Sequence, residues 1–201
     1  MPKQRRKSRR KSTKRKSTRN KRSQVKRQHG GGTTAIPNKT YYWQFSIDPD
    51  VAQEHNLDIN EITTFIESVL SDYRGWKSHG YNIVNLPTIA TALVPQKDVL
   101  KIRMSSDATV HKNCDFGFLS CADMSINVIY LNVDRWLYGS PHTELPLDQY
   151  RVYLVSHEVG HLLGKGHKHF SKSSESPCYV MNQQTIANGR CKGNIFPLYN
   201  E

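Results

Sequence analysis

One stretch of the 201-residue chain gathers residues that bind metal ions and move protons. It runs His157-Glu158-Val159-Gly160-His161-Leu162-Leu163-Gly164-Lys165-Gly166-His167, the pattern H-E-x-x-H-x-x-G-x-x-H. On a helix, His157 and His161 stand one turn apart, so both imidazoles leave the same face and can take one ion. Glu158 adjoins that face, close enough to reach a water on the ion without being a ligand. Gly164 can adopt φ > 0, which ends the helix and lets His167 swing back to the same ion. Three neutral imidazoles leave a fourth position open, the pattern of a catalytic rather than a structural zinc site. With this chain's residue frequencies, the five fixed positions arise by accident roughly once in 10⁴ or more sequences, so the signal far exceeds a bare H-E-x-x-H. Histidines that merely decorate a helix would leave Glu158 unexplained beside an apolar stripe. His169 is a rival third ligand, although the spacing from Gly164 favours His167.

Other elements must position this helix. Tyr41, Trp43, Phe45 and Ile47 alternate with polar neighbours and predict a half-buried strand. Asn60 can cap a helix to about Tyr73, with Ile62, Phe65, Ile66, Val69, Leu70 and Tyr73 at helical spacing. Tyr81–Leu86, closed by Pro87, and the alternation of Leu100, Ile102 and Met104 predict two more strands. Val128–Leu131 is apolar on both faces, so it belongs inside the sheet. Asp148 can cap the long helix that carries the motif and ends at Gly164, with Leu154, Val155 and Leu162 packing it on the sheet. Beyond it, Pro, Gly, Asn and polar residues predict little regular structure. Strands first, then a long helix bearing the chemistry, point to an α+β fold.

The extended motif resembles the metzincin clan of zinc metallopeptidases, whose third histidine follows the glycine. Those enzymes place a methionine in a tight turn beneath the metal, and Cys178-Tyr179-Val180-Met181-Asn182 offers Met181 for that turn. The alternative is an ordinary core methionine. VLSDYRGW at Val69–Trp76, VDRWL at Val133–Leu137, Tyr150-Arg151 and VMNQQT at Val180–Thr185 extend the likeness. With the zinc motif they resemble an uncharacterised, mainly actinobacterial family of metzincin-like domains, over most of residues 40–198. The resemblance implies a zincin-like fold: a twisted mixed sheet, an active-site helix, and a small irregular C-terminal part with a Met-turn. It also implies peptide-bond hydrolysis, with Zn2+ on His157, His161 and His167 and Glu158 as general base and acid. Several metzincin families carry a tyrosine two residues after the methionine. Here that position is Gln183, so Tyr179 is left out of the catalytic set.

The remaining composition is split. Of 29 Lys+Arg, 15 lie in residues 1–29, which hold none of the 17 Asp+Glu; the other residues carry 14 basic against 17 acidic, a net of −3. Residues 1–28 have too little apolar surface to order themselves, and Gly30-Gly31-Gly32 follows as a joint. The organisation expected is therefore a basic tail over 1–32 and a metallopeptidase domain over 33–201. The tail can bind nucleic acid blind to sequence by counterion release, adhere to an anionic surface, or act as a nuclear-localisation signal. No apolar stretch follows its charges and no run is long enough to span a membrane. The expectation is thus a location inside the cell, the nucleus included, or in a virus particle, whose proteins such basic leaders resemble. Cys114 with Cys121 and Cys178 with Cys191 form sequence-local pairs, open to reading as disulfides or as free thiols. The runner-up function is a catalytically idle zinc domain carried to nucleic acid or a particle by its tail. Glu158 discriminates, since an idle zinc domain has no use for that carboxylate.

Overall fold

The alternation around Trp43 builds β1, Lys39–Ile47, from which the sheet grows in both directions. The computed structural model describes residues 39–114, 117–169, 175–186 and 191–201; the basic tail and its glycine joint lie outside them. Two helices follow β1, α1 at Pro49–Glu54 and α2 at Ile59–Ser71, before β2 at Tyr81–Asn85. Next come β3 at Val99–Ser105, α3 at Asp107–Asn113, β4 at Cys121–Asp123 and β5 at Val128–Asn132. Two further helices are α4 at Val133–Tyr138 and α5 at Leu147–Leu162. The sheet order is β2-β1-β3-β5-β4. β2, β1, β3 and β5 run parallel, while β4 pairs antiparallel with β5 at the edge.

The fold is thus mixed α+β, with a five-stranded, mostly parallel sheet. Helices interleave with the strands instead of following them, because parallel neighbours require crossover connections. In register across the sheet, Trp43 pairs with Leu100, Phe45 with Ile102, Ile102 with Ile129 and Met104 with Leu131. They line one face, and α2 and α5 close the core over it with Ile66 and Leu154. β5 is buried along its whole length, as its unbroken apolar run requires. On the other face Val110 of α3 packs with Val128 and Tyr130, and the Cys114–Cys121 disulfide ties the end of α3 to β4.

Three boundaries differ from the sequence expectation. Asp58, not Asn60, caps α2: its carboxylate accepts the N–H groups of Asn60 at 2.8 Å and Glu61 at 3.2 Å. The same helix stops at Ser71, which leaves Tyr73 77% exposed instead of on the apolar stripe. Asp148 lies inside the first turn of α5, which starts after Pro146 with no side-chain cap. There its charge still complements the helix dipole. Leu154, Val155 and Leu162 are all buried in the core, as packing residues should be. Among the described residues no helix is long and apolar enough to cross a membrane.

Candidate metal centre

The three motif histidines are delivered by one helix and by the way it ends. α5 is buried on nearly every side from Tyr153 to Gly160, so its position is fixed by packing rather than by one amphipathic stripe. It closes with paired bonds, Gly164 N–H to the His161 carbonyl at 2.9 Å and Lys165 N–H to the Gly160 carbonyl at 2.9 Å. This is a Schellman stop, and Gly164 occupies its left-handed position at φ +84°. The reversal brings His167 back over the helix end. The Nε2 atom of His161 then lies 3.2 Å from Nε2 of His157 and 3.1 Å from Nε2 of His167. His169 is not part of the cluster.

The residues present fit a divalent metal. A tetrahedral zinc with Zn–N bonds of ~2.0–2.1 Å separates its ligand nitrogens by about 3.3–3.4 Å, close to the spacings seen here. The proton positions agree. Nδ1 of His157 faces the Val180 carbonyl at 2.8 Å, and Nδ1 of His161 faces the Lys165 carbonyl at 2.9 Å. A carbonyl only accepts, so each Nδ1 carries the proton and each Nε2 offers a lone pair. Converging lone pairs repel unless a cation sits among them. Burial, reinforced by His161, lowers the pKa of His157 to about 3, which keeps that imidazole neutral. Burial also lowers His161 and His167.

Glu158 is 4% exposed, and burial raises its carboxyl to about 8. It opens onto the same cleft as the three histidines, a cavity of about 280 Å³. Leu119, Ala122, Met124 and Ile186 supply much of the apolar wall, and Gln183 lines it as well. Tyr179 is outside the lining, its hydroxyl accepting from Asn200 Nδ2 at 2.8 Å.

Met181 is fully buried against the middle of the motif. A Cβ on Gly160 would come within 2.6 Å of Trp76 Cζ2 and nearer still to Met181 Sδ, so the glycine is what admits both side chains. Trp76 is itself anchored by its Nε1–H to the Ser156 carbonyl at 2.8 Å. A family model described as a protein of unknown function (DUF3152) matches residues 15–196. The chain belongs to the DUF3152 family. The DUF3152 match takes in every strand, the whole histidine motif and Met181, and it stops short of Glu201. No curated protein matches the chain.

Several residues of this DUF3152 member that shape the site carry no signal in the motif. The Tyr153 hydroxyl donates to the Asn182 carbonyl and accepts the Gln184 N–H, both at 2.9 Å. It thereby fastens α5 to the Met181 turn. Gln184, fully buried, bonds the Asn194 carbonyl at 2.8 Å and the Asn194 N–H at 2.9 Å. Both cysteine pairs are disulfides, and Cys178–Cys191 braces this same segment. Tyr153 could have been found from the sequence as the residue one turn before His157. Gln184 lies in the VMNQQT stretch, but its structural part could not be read there, since an irregular segment has no period to reveal its partners.

Proposed function

We propose that this protein is a zinc-dependent metallopeptidase, with His157, His161 and His167 holding the metal and Glu158 handling protons. The observation that carries the reading is a buried carboxyl sharing one cleft with three converging imidazoles, two of which, His157 and His161, are held by backbone carbonyls with Nδ1 protonated. Zinc, when bound there, supplies Lewis acidity to a substrate carbonyl and to a water molecule. The chain's own part is positioning and proton transfer. The Val180 and Lys165 carbonyls fix the tautomers of His157 and His161, so their Nε2 atoms need no rearrangement to act as ligands. Glu158 takes a proton from the attacking water and returns it to the leaving amine nitrogen, so that the peptide bond is replaced by an acid and an amine. The apolar cleft wall excludes water from the rest of the substrate. In this reading the turn at Met181 is the Met-turn of a metzincin, and its sulfur contacts the motif at Gly160.

Glu158→Gln tests the assignment. Glutamine keeps the size and reach of the side chain but cannot accept the proton. The variant is expected to retain its zinc and its fold while cleavage of peptides found by library screening falls ~10²–10⁴-fold. Turnover like the wild type by a zinc-loaded variant would assign the base to another residue. A wild-type protein that cleaves no peptide would favour the idle zinc domain instead.

A further inference from the structure

Glu201 has no place among the ligands or the proton-handling groups, yet its carboxylate lies where the bonds that orient them meet. Its Oε1 accepts the Met181 N–H at 2.7 Å, and its Oε2 accepts the N–H groups of Val180 at 3.0 Å and Leu198 at 2.7 Å. Three backbone donors converging on one carboxylate form a seat for an anion. The main-chain oxygen of Glu201 in turn accepts Lys165 Nζ at 2.9 Å.

Two of these partners, Val180 and Lys165, are one hydrogen bond from a histidine of the triad, and a third, Met181, holds the residue after His167. Val180 offers the carbonyl that holds Nδ1 of His157, and Lys165 offers the one that holds Nδ1 of His161. Met181 accepts through its carbonyl the N–H of Lys168, the residue after His167, at 2.9 Å. Without the carboxylate, the Val180–Met181 turn loses two of its backbone bonds, and the Val180 carbonyl behind His157 loses its footing.

We propose that Glu201 is a positioning residue of the metal centre: its carboxylate locks the Val180–Met181 turn so that three imidazoles stay converged in the absence of the ion. This inference rests on the reading of the triad as a metal site. Groups that orient metal ligands from behind typically change affinity 10–100-fold when removed. Glutamine is an informative replacement, because its amide directs N–H groups at backbone donors that need an acceptor.

The experiment measures zinc affinity of the full chain by competition with a chromophoric chelator, together with thermal unfolding of the metal-free protein. Glu201→Gln is expected to bind zinc ~10–100-fold more weakly and to shift the visible spectrum of the cobalt-substituted protein. Glu201→Asp keeps the charge but is one methylene short, and is expected to fall between glutamine and wild type. It decides the matter if the glutamine variant does not fold. A folded variant that unfolds at lower temperature but keeps wild-type zinc affinity and cobalt spectrum would overturn the proposal and leave the triad intact as a metal site. A wild type that binds no zinc, or a His157→Ala variant that binds it equally well, would overturn both the triad and this role.

Discussion

Replacing Gly160 by alanine sets two opposite effects against each other, and their sizes decide the sign. In an exposed helix interior, glycine to alanine stabilises by about 1 kcal/mol. At Gly160 the new methyl must enter a space already filled by Trp76 and Met181, with Trp76 Cζ2 only 2.6 Å from the ideal Cβ position. Met181 can turn its flexible end aside, but Trp76 is tethered through its indole N–H to the Ser156 carbonyl and cannot retreat freely. Overpacking of this kind usually costs about 1–3 kcal/mol, and two crowded neighbours place it in the upper half of that range. The net expectation is a loss of about 1–2 kcal/mol, or roughly 2–8 °C in unfolding temperature for a domain of this size. Thermal unfolding with a chelator present isolates this packing effect from any metal binding. A Gly160→Ala protein as stable as the wild type, or more so, would mean that Met181 and Trp76 do not meet beneath the motif.

The remaining expectations concern separate parts of the molecule. After dialysis, His167→Ala should lose its zinc whereas His169→Ala should keep about one per chain, because only His167 joins the cluster; elemental analysis giving the reverse would reassign the third ligand. Replacing both Cys178 and Cys191 by alanine opens a loop of sequence separation 13. That should lower stability by about 3 kcal/mol, or roughly 6–12 °C, under non-reducing conditions; an unchanged unfolding temperature would argue against the bond in solution. Removal of residues 1–32 should leave zinc content unaltered and abolish most salt-dependent binding to arbitrary duplex DNA, since the remaining charge is slightly negative. Undiminished binding by the shortened protein would locate the nucleic-acid contact elsewhere.

How much of this was legible in the sequence depended on whether a residue's role was periodic. β1, β3 and β5 could be read because side chains alternate across a pleated strand, or fail to alternate when both faces are covered. His157, His161, Gly164 and His167 could be read because metal geometry and helix geometry impose one spacing. Helices of six or seven residues, such as α1, α3 and α4, are too short to establish a period, and so the parallel crossovers were missed. The cap of α2 turned on a choice between Asp58 and Asn60, and the carboxylate nearer the start took both free N–H groups. Gln184 and Glu201 act through backbone partners remote in sequence, and no local pattern encodes such a partnership.

After α5 the described residues contain no further helix or strand, and the segment is held instead by side chains bonded to backbone. Asn182 and Gln184 are fully buried there, and their amides do what ladder hydrogen bonds do elsewhere. The usual map of mutational tolerance is consequently inverted over this stretch. Substituting apolar residues of similar volume for these amides, a mild change in an ordinary core, would strand buried N–H and C=O groups, at about 1–3 kcal/mol for each. Laboratory evolution of this region should therefore find its least replaceable positions among asparagine and glutamine. Change should be accepted more readily at an exposed apolar position such as Tyr199, which is outside the cleft lining.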